Sequence, residues 1–388
     1  MTAVQHPYHE DLGYYEDRAV GLLASAQDGA EGAAAAFRRS DAPLTEVGAR
    51  LALARQHGFD DWGALCRHVA TLSESGGPFV QAYRALEAHD VDALREQLDR
   101  VPDLVDAVGT NGNDLLGMAA ATCDERLVAL LLERGASPSN ANAHGWTPLH
   151  QAGYAGLPLL ARMLLEAGAP VGASARGDGG TPLVIALFWG HRAAAELLAE
   201  HGLVPANLRV AAGLGRLDLI ASLVDERGRL SAAAGAHRGF YRPHSGFPAW
   251  EPSDDPREVV DEALSWAARN DRTDALELLV ARGADPDGEV YRGTALAWAA
   301  AGGRVAAIER MLALGADPDR RSAFGGPDHG ERATALHLAA GNGHLDAIRA
   351  LLDAGADTTI RDEIHDGTPA GWAEYCGHPA AHALLTTG

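Results

Sequence analysis

The sequence predicts an all-α chain of stacked helix pairs, about nine helix-turn-helix units with a helical cap in front. Three observations carry that prediction. Short helical stretches come in twos, each pair split by a glycine turn. Glycines that close the second helix recur at a near-constant interval: Gly135 to Gly168 is 33 residues, Gly168 to Gly202 is 34 and Gly283 to Gly315 is 32. Each second helix also carries one narrow apolar stripe, which a unit this small cannot bury without stacking on its neighbours.

The clearest unit is Thr334 to Asp357, TALHLAAGNGHLDAIRALLDAGAD. Thr334 stands where a helix wants a capping hydroxyl. Sister copies place proline next (Pro148, Pro182, Pro369), which suits a first helical turn. Ala339 and Ala340 leave room for a neighbouring helix. Gly343 is free to take the left-handed conformation that ends a helix. Leu345, Ile348, Leu351 and Leu352 then form the stripe, and Gly355 closes the unit.

GWTPLHQAG at 145–153, GGTPLVIALFWGH at 179–191, GTALAWAAAGG at 293–303 and DGTPAGWAEYCGH at 366–378 repeat that pattern. Together with 334–357 they resemble the ankyrin repeat, whose pattern runs G-x-T-P-L-H-x-A-A-x-x-G-H before a second helix and G-A-D. Further copies at 80–108, 110–141, 207–234 and 257–287 are more degenerate; the last keeps WAARND and ARGADPD. The resemblance covers residues 79–388 and implies a solenoid whose turns and inner helices line a concave groove. It also implies a protein-binding scaffold of a bacterial kind, because LARQHGFDDWGALCRHV is similar to a segment that precedes such repeats in bacterial proteins.

Residues 1–78 do not fit the repeat. Leu12, Tyr15, Ala19, Leu22 and Leu23 suggest one helix and the alanines of 30–38 a second; Trp62, Leu65, Cys66, Val69 and Leu72 share a face of a later one. The expected role of this region is to cover the first repeat, since a terminal unit needs a polar outer side. Two breaks interrupt the period. Gly228 to Gly283 is 55 residues, and the surplus, 231–258, is a glycine- and proline-punctuated stretch that reads as an inserted loop. Gly315 to Gly355 is 40, with the surplus in a lengthened finger at 322–332. A long ordered loop in a compact array is more often functional than decorative.

Composition narrows the partner classes. A formal charge of −21 argues against a nucleic-acid backbone and against an anionic membrane surface. The three cysteines, Cys66, Cys123 and Cys376, lie far apart and form neither a disulfide framework nor a metal set. No stretch is apolar for long enough to span a bilayer, and the polar, acidic N-terminus does not read as a signal peptide, so a reducing cytoplasm is the expected location. No phosphate loop, nucleophile elbow, HExxH helix or coupled Cys–His pattern appears, and no metal or cofactor is expected.

Two sets of residues are candidates for a site. Carried over from the resemblance, the groove positions are Trp146 before the turn threonine, and Tyr154, Phe188, Trp189, Arg269, Asn270 and Tyr375 on inner helices. Trp146, Tyr154, Phe188 and Trp189 come from adjacent copies and fit an aromatic anchor for a protein partner. Trp266, Trp298 and Trp372 stand in the Leu338 position and read as core. His150 and His337 of the TPLH slot, and His191, His344 and His378 after the mid-repeat glycine, read as structural. The second set is in the loop, where the repeat asks for nothing: His237, Arg238, Tyr241, Arg242 and His244, followed by Glu251, Asp254 and Asp255. Three readings of it stand. Arg238 and Arg242 could hold a small-molecule or anionic ligand; His237, Tyr241, His244 and Glu251 could supply acid–base chemistry in an enzyme roofed by the loop; or the cations could pair with Asp254, Asp255 and Glu258 and simply pin the loop.

Overall fold

The computed structural model describes residues 11–28, 30–75, 77–109, 112–142, 144–175, 177–202, 204–239, 250–323 and 332–386. Among these the chain is all-helical: α1 Leu12–Gln27, α2 Glu31–Arg39, α3 Glu46–Gln56 and α4 Trp62–Ser75 come first. Nine helix pairs follow. They are α5 Pro78–Glu87 and α6 Val91–Arg100, α7 Leu115–Thr122 and α8 Glu125–Glu133, α9 Pro148–Ala155 and α10 Pro158–Glu166, α11 Pro182–Phe188 and α12 Arg192–His201, α13 Leu208–Leu214 and α14 Leu217–Leu223. The remainder are α15 Pro256–Arg269 and α16 Thr273–Ala281, α17 Ala295–Ala301 and α18 Val305–Ala313, α19 Ala335–Gly341 and α20 Leu345–Asp353, α21 Pro369–Tyr375 and α22 Pro379–Thr386. The predicted count of about nine units is the observed one.

The chain forms two compact units, residues 1–152 with 159–170 and residues 153–158 with 171–388. In the first, α1–α4 gather around their own core of Tyr15, Ala19, Phe37, Leu53, Leu65 and Val69. His57 is buried there at 5.6 Å from the Tyr15 ring. Burial lowers its pKa to about 4, helped by the charge of Arg18.

In the second unit the apolar stripes foreseen in the sequence make one continuous core, from Leu208 through Leu276, Ile308 and Ile348 to Leu385. Threonine or asparagine opens most inner helices: Thr181 accepts from the Val184 amide, Asn207 from Val210, Thr294 from Ala297 and Thr368 from Gly371. In the TPLH slot of α19 the imidazole completes the cap. His337 Nδ1 accepts from the Thr334 amide at 3.2 Å, so Nε2 carries the proton and donates to the Gly367 carbonyl of the next repeat at 3.0 Å. Burial keeps this ring neutral by lowering its pKa.

Mid-repeat glycines are needed for two reasons at once. Gly343 has φ +70°, and a Cβ there would stand 2.6 Å from Nδ1 of His378 in the following repeat. The GADPD turns interlock as well: the Asp317 amide donates to Asp287 Oδ1 at 2.9 Å and the Asp357 amide to Asp319 Oδ1 at 2.8 Å.

The 231–258 insertion differs from its sequence reading at one end. Helix α15 begins at Pro256, inside the segment read as loop, because Asp255 caps it by accepting from the Arg257 amide at 3.0 Å and proline suits the first turn. At 14 residues α15 is twice the length of α11, α13, α17 or α19. Its added turns carry Glu258, Asp261 and Glu262. In the finger, Ser322 pairs with Ala333 by an antiparallel bridge, and 324–331 lie outside the described residues.

Candidate functional site

The inner helices of the second unit end in an aromatic cluster threaded by arginine. Phe188 is the last residue of α11 and Trp189 its C-cap; Arg269 and Asn270 hold the same places on α15. Helices of equal pitch in register bring equivalent ends together, so these side chains meet although 81 residues separate them in sequence. The Phe188 ring lies 5.2 Å from Trp189, 6.1 Å from Trp266, 5.8 Å from Trp298 and 5.9 Å from Tyr291, all edge-to-face. Tyr154 joins from the end of α9, 5.5 Å from Trp189. Trp250, after the loop, packs 5.6 Å from Tyr291.

Cations fill the gaps between the rings. The Arg269 guanidinium sits 3.4 Å from the Trp298 ring centre and 4.5 Å from Phe188, and its Nη1 donates to the Phe188 carbonyl at 3.1 Å. Asn270 Nδ2 donates to the carbonyls of Leu187 (2.8 Å) and Trp266 (2.9 Å). The sequence placed Arg269 and Asn270 at exposed groove positions; both are buried, at 3% and 1% exposure. Three strands of packing from α11, α15 and α17 close over them.

Tyr291 and Arg292 both take positive φ, +46° and +70°, in the turn before α17. Packing between Phe188 and Trp250 over-determines this uncommon geometry. Burial pushes the Tyr291 hydroxyl up to about 12, so it stays protonated at physiological pH.

Beside the cluster is a cleft of about 210 Å³ lined by Phe188, Trp189, Arg269, Trp298, Ala301, Gly302, Arg304 and Asn342. Arg304 Nε donates to the Arg269 carbonyl at 3.0 Å and Nη2 to the Gly190 carbonyl at 2.6 Å. Among the described residues it contacts carbonyl oxygens and no carboxylate. Arg304 was not among the sequence candidates. Its signal was available: AGGRV at 301–305 puts arginine in the slot that GNGHL at 341–345 gives to His344.

The loop residues divide. Arg238 is buried and tied to both flanks of the insertion: Nε donates to Glu262, Nη2 to Glu258 Oε1 at 2.8 Å and Nη1 to the Ser253 carbonyl at 2.6 Å. Burial opposes its charge, but Glu262 and Glu258 hold it ionised. Arg209, itself 1% exposed and 4.8 Å over the Trp266 ring, donates to Glu262 Oε1 at 3.1 Å and to the His237 carbonyl at 2.7 Å. Arg238 is therefore a pin for the loop, and it has no free face for an anion. His237 Nδ1 meets exposed Asp178 at 2.9 Å, and Glu251 is exposed. Tyr241, Arg242 and His244 lie outside the described residues. Trp146 belongs to the first unit, where it stacks on His150 at 5.3 Å and donates to Gln151 Oε1 at 3.3 Å. Trp266 and Trp298 are buried as expected, and Tyr375 is exposed.

Among the described residues no helix is long and apolar enough to cross a membrane, and no group of three His, Cys, Asp or Glu is placed to hold a metal.

Comparison with known families agrees with the architecture. A model of ankyrin repeats in three copies matches residues 82–175 and 116–207, and a single-repeat model matches 331–363. Ankyrin repeat and SAM domain-containing protein 6 from Rattus norvegicus is 36% identical over 90 residues, 23% of this chain. The match spans only 10% of that relative's length. With nine helix pairs among the described residues, turn histidines that bridge successive repeats in the second unit and these matches, the chain carries ankyrin repeats.

Proposed function

We propose that this chain is a protein-recognition scaffold whose partner docks across the inner-helix ends of the second unit and the adjoining 231–258 segment. Ankyrin repeats in general mediate association between proteins. The observation that carries the reading here is the Tyr154–Trp189 pair, partly exposed and edge-to-face at 5.5 Å, whose Trp189 lines the cleft. Aromatic side chains that are rigid, half-buried and next to a concavity are what interface anchors are made of. The buried cluster beneath fixes their positions, so little ordering is left to be done on binding.

The test is photo-crosslinking from position 189 in the full chain, with a probe at exposed Leu159 as the control. A defined protein adduct from position 189 alone, lost when Tyr154 is also changed to alanine, supports the reading. Equal adducts from both positions, or none from position 189, would overturn it. Trp189→Ala should leave the melting temperature within a few degrees, because the ring is a rim residue.

A further inference from the structure

The cleft beside Trp189 has a chemistry that the general scaffold reading does not specify. Two of its eight lining residues are arginines and none is acidic, in a chain with 53 acidic and 32 basic residues. Arg304 spends Nε and one Nη2 hydrogen on two carbonyls, which fixes the plane of the guanidinium. Its Nη1 edge makes no hydrogen bond among the described residues, and the side chain is half-buried at the cleft wall. A guanidinium held in plane with one edge left over is preorganised to receive a carboxylate.

The neighbours add to this. Asn342 Nδ2 donates to the Leu338 carbonyl at 2.8 Å, which orients the exposed amide that lines the cleft. Trp189 and Phe188 supply apolar walls that lower the local dielectric and strengthen a charge pair made inside. A volume of about 210 Å³ is room for roughly seven waters, or for one or two side chains, and not for a folded element.

We infer that this cleft is a specificity pocket for an acidic side chain of the protein partner, an aspartate or glutamate on an extended segment, received by Arg304 and flanked by Trp189. The inference rests on the scaffold reading and adds the partner's chemistry to it. Charge complementarity is local: the pocket is a cationic point in a chain of net charge −21, so an acidic segment is selected there by fit and is not drawn in by the overall field.

The experiment selects a random-peptide display library on the full chain and repeats the selection on two variants. Arg304→Gln removes the cation. Gly302→Asp keeps the cation and sets a carboxylate beside it: a Cβ at Gly302 would lie 3.2 Å from Arg304 Nε, so the guanidinium shifts by a few tenths of an ångström, and the φ of −91° is open to any residue. Peptides enriched on the native chain should share an aspartate or glutamate at one position. Changing that position to Gln or Asn should weaken binding at least tenfold, and both variants should lose the peptides; Arg304→Gln, which also gives up the bonds to Arg269 and Gly190, should melt lower, whereas Gly302→Asp, which keeps the guanidinium, should stay folded through the binding assay. Enrichment without an acidic position, binding that survives both variants, or no enrichment at all overturns the inference. Peptides that lack an acid yet depend on Trp189 would overturn the pocket and leave the scaffold reading standing.

Discussion

Glu262 is the most consequential single side chain for the insertion, and Glu262→Gln is the sharpest test of how the loop is held. The carboxylate is 1% exposed and lies between Arg209 and Arg238, both buried as well. At an effective dielectric of about 20, each contact near 4 Å is worth about 4 kcal/mol of Coulomb energy. Desolvating the charges offsets most of that, so the intact cluster contributes little net stability compared with an apolar packing. Removing one partner is another matter: two guanidinium groups would face each other across a neutral amide. The expected loss is about 3–5 kcal/mol, with Gln at the lower end because it retains one acceptor oxygen. Exchange of the Leu208 amide, which donates to the Ala234 carbonyl, reports on the loop flank, and Trp266 fluorescence reports on Arg209 at 4.8 Å. Both should change together, while α19–α22 exchange as before. The double variant Arg209→Met with Glu262→Leu should recover most of the loss, since it leaves no lone charge. A single-variant loss below about 1 kcal/mol, or a double variant less stable than either single one, would refute the account.

Three further outcomes follow from groups already placed. His57 has a folded pKa of about 4 against an ordinary 6.5, so the unfolded chain takes up the proton first. The stability of α1–α4 should fall as pH drops from about 6.5 to about 4, by about 3 kcal/mol, and His57→Phe should flatten that limb in pH-resolved urea titrations. Asp261 has the opposite sign: burial lifts it from 3.8 to about 6, and the charge of Asp285 adds to the shift. Its contribution is fully present below about pH 4 and is lost as pH rises through 6, so Asp261→Asn should stabilise the second unit at pH 8 by up to about 3 kcal/mol and do nothing at pH 4. Asparagine keeps the acceptor that the Asp285 amide uses at 2.8 Å. Gly343→Ala should cost more than Gly355→Ala, which has φ +87° and open space around it; the second isolates the backbone term of about 1–2 kcal/mol, and the excess in the first measures the crowding against His378.

The period of the glycines and the apolar stripes made the nine helix pairs legible, because each repeats a local requirement that any copy displays by itself. The aromatic cluster was legible only in part. Phe188 and Trp189 stood out as large residues at inner-helix ends, and Trp266 and Trp298 as substitutes in a leucine slot. That the four would share one site depends on α11, α15 and α17 being side by side, and the insertion between α14 and α15 breaks the count that would have shown it. The same break misled the reading of Arg269 and Asn270, which a regular array would expose. For Arg238 the sequence left three roles open. The partner that decides among them, Glu262, sits on a helix whose opening the repeat pattern does not mark.

The histidine slot explains how the stack tolerates that break. In the regular copies an imidazole after the mid-repeat glycine reaches back one repeat, as His344 Nε2 does to the Ala301 carbonyl at 3.1 Å. Where the insertion intervenes, the slot carries arginine. Arg272 Nε donates to the Gly213 carbonyl at 3.1 Å, and Arg304 makes the same bond to Arg269 and then a second to Gly190, the end of α11. A guanidinium is longer than an imidazole and offers a fork of donors, so one side chain can tie three helix ends where histidine ties two. Arg216, in the same slot, turns to Asp218 and bridges no repeat among the described residues, so arginine alone is not enough; the carbonyls must be presented. The long arm that repairs the stack is therefore also the one that leaves a cationic edge in the cleft.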